Sequence, residues 1–323
     1  MADPNGRPNG HARRGRVLVV GSANMDLVVV CERFPAPGET VLTDELTAFS
    51  GGKGANQAVA CARLGGDVRF LGRVGDDAFG GQLLDDLDAA GVDVGAVQAD
   101  DGSSGVALIT VDGRGENQII VASGANGRLA PDDVEAARSL FEAADVVLLQ
   151  LEVPVETVER AAALATEVGA RVVLNPAPAR PLSDALLASV DVLTPNESEA
   201  AALSGVAVTD RASAGQAARA LVARGARHVV VTLGADGALS VSAERERHVP
   251  APAVRAVDTT GAGDAFNGAL AFALARGQSV DDALLLANAV GAAAVTQRGA
   301  QAAMPTLDQV AVYASAHEAD HES

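Results

Sequence analysis

From residue 145 onward, short apolar runs alternate with longer segments in which apolar residues recur at helical spacing. The runs are rich in valine and almost free of polar residues, as strands are when both faces of a sheet are covered. They span residues 146–151, 172–175, 192–194 and 229–232, and a similar run opens the pattern at 17–20. The helical segments between them are 155–168, 182–190, 197–203 and 214–224. This alternation predicts an α/β fold built on a parallel sheet.

Further helices are predicted on both sides of this region. They span residues 55–64, 79–90, 131–143, 265–276 and 282–295. Gly65 and Gly277 follow two of these segments directly, where glycine commonly ends a helix.

Residues 27–49 and 104–123 break the rhythm, because they contain alternation and turn residues but no helical pattern. In the second stretch, Asp112-Gly113-Arg114-Gly115 separates two apolar runs, which indicates a β-hairpin. We interpret the two stretches as a small β lobe lying over the active site as a lid or a dimer surface. The alternative is that they extend the main sheet.

Composition limits the classes of partner. The chain has 323 residues, is 48% hydrophobic and carries a formal net charge of −18, which disfavours nucleic acid and anionic membranes. No apolar run reaches membrane-spanning length, and residues 1–16 lack the apolar segment of a signal peptide. Cys31 and Cys61 are too few for a disulfide framework, so we expect a cytoplasmic protein. Tails are expected at 1–15 and 316–323, flanking one domain at 16–315.

Lysine occurs once, at Lys53, whereas the other 23 basic residues are arginines. It lies in the glycine-rich segment Gly51-Gly52-Lys53-Gly54. A compact ammonium with three donors suits contact with a sugar hydroxyl or a phosphate. A simple turn residue is the alternative interpretation.

The segment Asp258-Thr259-Thr260-Gly261-Ala262-Gly263-Asp264 precedes a predicted helix. Glycines at a helix start let a ligand approach the backbone, and free N–H groups there bind anions. Asp264 adds a carboxylate that can act as a base beside this anion site. The combination suggests phosphoryl transfer to a hydroxyl.

Polar residues follow several of the predicted strands, at the edge where α/β proteins bind ligands. Asn24 and Asp26 follow the first strand, although an Asx turn would explain them equally. Glu152 follows the strand at 146. Asn196 and Glu199 follow the strand at 192, where they could cap a helix, lie near hydrated magnesium, or do both. Thr232, Gly234 and Gly237 form a turn that could lie near a nucleotide.

Several other chemistries lack support in the sequence. No segment has the Walker A spacing, and no Gly-x-Gly-x-x-Gly follows the first strand. None of the five histidines has metal-ligand spacing or lies beside a candidate nucleophile. These absences disfavour a P-loop enzyme, a nicotinamide-dependent oxidoreductase, a zinc enzyme and a Ser-His hydrolase.

The motifs together resemble those of the PfkB-type carbohydrate kinases. Asp258 to Asp264 is similar to the C-terminal signature of that family, and Gly51-Gly-Lys-Gly-Ala-Asn-Gln57 with Gly72-Arg-Val-Gly-Asp-Asp77 is similar to the N-terminal one. The likeness runs from about residue 17 to residue 305. Segments at 21–26, 115–126 and 294–301 resemble the members that phosphorylate D-ribose. The resemblance implies a three-layer α/β sandwich with a mostly parallel sheet and a small β lid.

The resemblance also implies roles for individual residues. Asp264 would take the proton from O5 of ribose, and the backbone of Gly261, Ala262, Gly263 and Asp264 would form an anion hole for the γ-phosphoryl group of ATP. The sugar would be held by Asn24, Asp26, Gly52, Lys53, Asn56, Glu152 and Asp264. The nucleotide would be lined by Asn196, Thr232, Gly234, Gly237, Gly263 and Asn288.

Two cations and a homodimer through the lid are further implications of the resemblance. Mg²⁺ would accompany ATP near Glu199. Potassium or a similar monovalent cation would bind Asp258, Thr260, Ala294 and Gly299 as an activator, although Ala303 stands where the family often has a serine ligand. That departure leaves the strength of the cation site open.

Other substrates and a non-enzymatic role stay open. Deoxyribose, fructose or a nucleoside could replace ribose, although 2% aromatic residues offer little stacking for a base. A sugar sensor without catalysis would not need both Asp264 and its neighbouring glycines.

Overall fold

A computed structural model describes residues 15–319 and their side chains as far as Tyr313. Except for Gly15, the N-terminal tail expected at 1–15 lies outside the described residues. The last helix reaches Ala319, so it includes part of the C-terminal tail expected from residue 316. Residues 320–323 of that tail also lie outside the described residues.

The described part of the chain contains fifteen strands. They are β1 (Arg16–Val20), β2 (Asn24–Val30), β3 (Leu46–Gly51), β4 (Asp67–Leu71), β5 (Arg73–Gly75), β6 (Val92–Asp93), β7 (Gln98–Asp100), β8 (Gly105–Val111), β9 (Asn117–Ala122), β10 (Val146–Leu149), β11 (Arg171–Leu174), β12 (Val192–Leu193), β13 (His228–Thr232), β14 (Ala238–Ser242) and β15 (Glu246–Val249).

Nine of these strands form the central sheet, in the order β15-β14-β13-β12-β11-β10-β1-β4-β6. In this order, each neighbouring pair between β13 and β6 is parallel. Strands β14 and β15 add an antiparallel edge beside β13. Their parallel members share one carboxyl edge, at which polar residues from separate parts of the chain meet.

The two irregular stretches form a separate sheet instead of extending the central one. Its order is β3-β2-β8-β9, with β2 parallel to β8 and the hairpin β8–β9 antiparallel. Asp26 pairs with Phe49 on one side and with Ala107 on the other. We call this sheet the lid; β5 and β7 form a third, two-stranded sheet.

Eleven α-helices lie among the described residues. They are α1 (Lys53–Arg63), α2 (Ala78–Ala89), α3 (Pro131–Ala136), α4 (Arg138–Ala143), α5 (Val155–Val168), α6 (Asp184–Ser189), α7 (Glu197–Ser204), α8 (Arg211–Ala223), α9 (Ala262–Ala275), α10 (Val280–Ala294) and α11 (Leu307–Ala319).

Alternate residues of β1 divide the core into two layers. Val17 and Val19 belong to a cluster with apolar residues of α1, α2, α9 and α10. Leu18 and Val20 belong to a second cluster with residues of α3 to α8. The helices therefore cover both faces of the sheet, and the predicted three-layer α/β sandwich is confirmed.

Most helices depart from their expected bounds by one to three residues, and one is divided. The helix predicted at 131–143 is divided at Ala137, where the N–H of Leu140 donates to Ala137 O in a tighter three-residue turn. Helices α1 and α9 begin earlier than the expected Ala55 and Ala265, at Lys53 and Ala262. Lys53 and Asp264 therefore lie in the first turns of helices, where side chains and free N–H groups face the same ligand space.

Within residues 15–319, no helix combines the length and apolarity needed to cross a bilayer. Cys31 and Cys61 are both buried and neither forms a disulfide.

Candidate active site

The residue that caps the start of α9 is a glycine that no other residue could easily replace. Gly261 caps the helix in a left-handed conformation with φ of 76°, and a Cβ there would lie 3.1 Å from the Ala300 Cα. The following turn leaves backbone N–H groups without helical carbonyl partners. The N–H of Ala262 donates to Thr259 O, which leaves those of Gly263 and Asp264 as the donors available to an anion.

Asp264 lies in this first turn and is 7% exposed. Asn56 Nδ2 donates to its Oδ2 at 2.9 Å, and Gln57 Nε2 donates to its Oδ1 at 3.0 Å. Both amides come from α1, which packs closely on α9. Gly268 permits this packing, because a Cβ there would lie 2.6 Å from Ala60 Cβ.

Burial and charge act on the acid in opposite directions. Burial raises the pKa of Asp264 above its usual range, and the nearby Lys53 ammonium and the two amide hydrogen bonds oppose that rise only in part. For Lys53, burial lowers the pKa, but the carboxylates of Asp264, Glu152, Glu199 and Asp26 outweigh it and hold the pKa above its usual value. The ammonium therefore stays charged at the centre of an acidic site.

Glu152 links the connection after β1 to the start of α1. Its Oε2 accepts from Ser22 Oγ at 2.5 Å and from the backbone N–H of Lys53 at 3.0 Å. Gly52 allows this approach, because a Cβ there would lie 2.7 Å from the Asn24 nitrogen and its φ is 87°. The start of α1 is therefore packed against the connection between β1 and β2.

Asn24 and Asp26 lie in β2, the first lid strand, and share one face of it. They do not form the Asx turn that was the alternative. Asn24 Oδ1 accepts from Asn126 Nδ2 at 2.7 Å, and Asn126 also exchanges hydrogen bonds with the Ala23 backbone. Burial, with the charges of Glu152 and Asp264, raises the pKa of Asp26 from 3.8 to about 7, although Lys53 lowers it.

One buried acceptor at the centre of the site lacks a partner. Asn56 is 6% exposed, and its Oδ1 has no hydrogen-bond partner among the described residues, although its Nδ2 donates to Asp264. Leaving such an atom unpaired costs about 1–3 kcal/mol. A ligand hydroxyl at this position could donate to Asn56 Oδ1 while facing the Asp264 carboxylate.

Asn196 and Glu199 form the predicted capping box at the start of α7. Asn196 Oδ1 accepts from the Glu199 N–H at 2.8 Å, and Glu199 Oε2 accepts from the Asn196 N–H at 2.9 Å. An isolated bridge joins Asn196 to Thr232, which brings the ends of β12 and β13 together. Burial raises the pKa of Glu199, and the hydrogen bond from Asn196 and the charge of Lys53 reduce that rise.

The remaining predicted nucleotide residues have structural partners of their own. A Cβ at Gly237 would lie 2.2 Å from Val249 O, so this turn requires glycine. Asn288 Nδ2 donates to Val249 O at 2.8 Å and to Pro250 O at 3.3 Å. Gly237 and Asn288 therefore both position the segment at 249–250. Gly234 and Gly263 instead have open space where a Cβ would stand.

The predicted cation ligands Asp258, Thr260 and Gly299 lie together. Asp258 Oδ1 accepts from the Thr260 N–H and its Oδ2 from the Gly299 N–H, both at 2.9 Å. Burial raises the pKa of Asp258, but these hydrogen bonds outweigh it, so the pKa lies below the usual value. Ala294 ends α10, and its carbonyl accepts from the Gln297 N–H.

Sequence reasoning missed the buried amides behind Asp264. Gln57, Gln150 and Asn175 form a hydrogen-bonded chain there, and Ser22 and Asn126 orient Glu152 and Asn24. One usable signal was a polar residue directly after an apolar strand, as Gln150 and Asn175 both are. Within residues 15–319, no cluster of three or more His, Cys, Asp and Glu side chains is arranged to hold a metal ion.

Comparisons with known proteins agree with this architecture. The model of the PfkB family of carbohydrate kinases matches residues 14–307. Ribokinase of Haemophilus influenzae is 41% identical over 297 residues, covering 92% of this chain and 97% of its own length. Deoxyribokinase of Salmonella typhi is 38% identical over 304 residues, covering 94% of this chain and 99% of its own.

A solved structure of Arabidopsis thaliana ribokinase with ribose and ATP is similar throughout. It aligns with a TM-score of 0.87 and 34% identity, covering 93% of this chain and 98% of its own. The fold and these relatives define an α/β carbohydrate kinase. The chain belongs to the PfkB family.

Proposed function

We propose that this protein transfers the γ-phosphoryl group of ATP to O5 of D-ribose, giving ribose 5-phosphate. The observation that carries the proposal is the pairing of Asp264 with the unpartnered acceptor Asn56 Oδ1 at the start of α9. Support also comes from relatives named ribokinase and from the similar ribokinase complexed with ribose and ATP.

In this proposal Asp264 is the general base. Its carboxylate accepts the proton of the O5 hydroxyl, O5 bonds to the γ-phosphorus, and the bond from that phosphorus to ADP breaks. The raised pKa of Asp264 makes it a stronger base than an exposed carboxylate. The N–H groups at the start of α9 face the charge that develops on the transferred group.

The sugar is held between the lid and the start of α1. Asn24 and Asp26 approach from β2, and Gly52, Lys53 and Asn56 from the first turn of α1 and its cap. Glu152 is already oriented by Ser22 and by the Lys53 backbone. This set of donors and acceptors suits a compact polyhydroxy sugar.

The nucleotide would be held by residues that end or follow β12 and β13 and by residues of α9 and α10. The proposed ATP site is lined by Asn196, Thr232, Gly234, Gly237, Gly263 and Asn288. Gly237 and Asn288 contribute by positioning the segment at 249–250. Mg²⁺ bound with ATP would neutralise phosphate charge, and Glu199 would lie near it. A potassium ion would be held by Asp258, Thr260, Ala294 and Gly299, where Asp258 already holds the loop.

A second candidate substrate is 2-deoxyribose. It is favoured by the deoxyribokinase that is 38% identical over 304 residues. The two sugars differ only in the 2-hydroxyl, so the chemistry at O5 would be the same.

A substrate panel tests the proposal. Pentoses, hexoses and nucleosides are supplied with ATP and Mg²⁺, with and without K⁺, in a coupled assay of ADP release. We expect ribose to give the highest kcat/KM and K⁺ to raise it. Preference for deoxyribose, a hexose or a nucleoside would overturn the ribose assignment, and an absent K⁺ effect would contradict the cation site.

The variant Asp264→Asn tests the base. It keeps the shape of the side chain but cannot accept the proton at neutral pH. We expect it to bind ribose and ATP in calorimetry while kcat falls by about 100-fold or more. Turnover near that of the wild type would refute the role of Asp264.

We further propose a homodimer through the lid, in the cytoplasm. Strand β9 is an edge strand whose Ile119, Ile120 and Val121 are 53%, 69% and 48% exposed. Edge strands of this kind are usually covered. The free cysteines are compatible with a reducing compartment. Sedimentation should give twice the mass of the chain, and Ile120→Lys should lower it to one chain; a wild-type monomer would contradict the dimer.

A further inference from the structure

Behind Asp264 lies a continuous chain of buried side-chain amides. Gln57 and Gln150 are fully buried, and Asn175 is 7% exposed. Gln57 Nε2 donates to Asp264 Oδ1 at 3.0 Å and to Asn175 Oδ1 at 3.1 Å. Gln150 Nε2 donates to Gln57 Oε1 at 2.7 Å. These side chains face the core side of the carboxylate.

The orientation of each of these side-chain amides is fixed by oxygen atoms that can only accept a hydrogen bond. The backbone carbonyl of Thr194 accepts from Asn175 Nδ2, which turns Asn175 Oδ1 toward Gln57. Asn175 Oδ1 and the Asp264 carboxylate both require a donor, so Gln57 must present its NH₂ group to them. Its Oε1 then needs a donor of its own, and Gln150 supplies it.

We infer that Gln57 is a positioning residue for the base and that Gln150 holds Gln57 in the orientation that serves Asp264. This inference rests on the proposed role of Asp264. Asn56 also donates to Asp264, but its other atom, Oδ1, faces the proposed sugar site, whereas both polar atoms of Gln57 are engaged within the protein. Gln57 therefore acts on the carboxylate without binding the sugar.

The charged groups around Asp264 make this donor important. Lys53 on α1 favours the ionised acid, whereas Glu152 after β10, Asp26 on β2 and Glu199 on α7 disfavour it. Hydrogen bonds to the charged form lower the pKa of an acid. Loss of the Gln57 donor should therefore raise the pKa of Asp264 and lower the fraction that is ready to accept a proton at neutral pH.

A substitution at Gln150 can distinguish a positioning role of its hydrogen bond to Gln57 from a purely structural one. Gln150 Oε1 is buried and has no hydrogen-bond partner among residues 15–319. Gln150→Met removes this orphan acceptor but leaves Gln57 Oε1 without its donor, so one unpaired atom replaces another. The substitution should change stability little. It should nevertheless release Gln57 and lower turnover.

The test compares Gln57→Met, Gln57→Glu and Gln150→Met with the wild type. The measurements are kcat against pH from about 5.5 to 9.5, the Kd for ribose and the melting temperature. Thr157→Val is the control, because Thr157 is a fully buried α5 residue whose Oγ donates to Leu129 O, away from Asp264. It loses a buried hydrogen bond without touching the base.

For Gln57→Met we expect the acid limb of the profile to move up by about one pH unit, so that kcat on that limb falls by up to about tenfold, while ribose affinity stays within about twofold. Activity should recover toward pH 9. Gln57→Glu keeps the shape of the side chain but places a carboxyl about 3 Å from Asp264, so the two share one proton and the loss at pH 7 is larger. Gln150→Met should show a smaller shift in the same direction.

The inference is overturned if the Gln57 variants lose activity equally at all pH values, or if Thr157→Val shifts the profile as they do. If Gln57→Met does not fold, Gln57→Glu and Gln150→Met decide the matter, and unshifted acid limbs in both refute the inference. Asp264→Asn separates this from the proposed function. If Asp264→Asn is active, the proposed role of Asp264 as the base is refuted. If Asp264→Asn is inactive but the Gln57 and Gln150 variants show no shift, only the inference about the buried amides is refuted.

Discussion

Replacing Gly268 with alanine tests how closely α1 and α9 must approach. A Cβ at residue 268 would lie 2.6 Å from both Ala60 Cβ and Gln57 O, and 3.0 Å from the Cys61 nitrogen. Carbon atoms prefer a separation of about 3.5 Å, so the helices would have to part by about 0.9 Å. Backbone atoms of α1 cannot rotate out of the way as a flexible side chain could.

Overpacking of this kind costs about 1–3 kcal/mol. Gly291→Ala is the matched control, because Gly291 is also inside a helix and its Cβ would meet Ala262 O at 3.6 Å, an ordinary contact. Alanine favours a helix over glycine by about 1 kcal/mol at both positions. The difference between the two variants in free energy of unfolding therefore isolates the overpacking, and we expect Gly268→Ala to be the less stable by about 1–3 kcal/mol.

The same displacement should reach the active site. Helix α1 carries the donors that meet Asp264 at 2.9 and 3.0 Å, and a shift of about 0.9 Å would stretch both beyond hydrogen-bond range. We expect kcat to fall by up to about 100-fold, since misplacement by about 1 Å has this effect in enzymes. The measurements are urea unfolding and coupled ADP release. Equal stability and equal kcat in Gly268→Ala and Gly291→Ala would refute the close-approach argument.

Three further variants test the loop and the lid. Gly263 lies within a helix and has open space where a Cβ would stand, so Gly263→Ala should keep or gain stability. We expect its KM for ATP to rise, and an unchanged KM would contradict a role of Gly263 in the nucleotide site. Asp258→Asn weakens the hydrogen bonds to Thr260 and Gly299 and should reduce K⁺ activation in a salt titration; full activation would contradict the cation site. The pKa of Asp26 is raised from 3.8 to about 7 by folding, so its ionisation costs up to about 4 kcal/mol of stability as pH rises across that interval. Asp26→Asn should therefore match the wild type in melting temperature near pH 4 and exceed it at pH 8, and a difference independent of pH would refute this.

Much of the architecture could be predicted because local pattern and tertiary environment agree. Helix α5 has both predicted bounds, 155–168, because its apolar spacing is regular and Gly169 ends it in a left-handed conformation. The valine-rich strands were found because a parallel sheet buries both of their faces. The glycines of Gly261 to Asp264 were informative because few other roles require that spacing.

The parts that were missed depend on contacts between distant positions. Gln57 forms hydrogen bonds with Asp264, which is 207 positions away in the sequence, and with Asn175, which is 118 positions away. No local sequence pattern predicts such contacts. Asn24 and Asp26 fit a turn by propensity, yet pairing with β3 and β8 makes them part of a strand. Tertiary pairing outweighs local preference there.

The charge distribution favours the binding of cations together with ATP at this site. Lys53 is surrounded by Asp26, Glu152, Glu199 and Asp264, so a fully ionised site has three more negative charges than positive ones. The γ-phosphate of ATP adds further negative charge, in a protein whose formal net charge is already −18. A single ammonium and the first turn of α9 cannot offset this alone, because helix termini carry only about half a unit charge. ATP should therefore bind tightly only together with its metal ion, and protonation of Asp26 near neutral pH reduces the remaining repulsion.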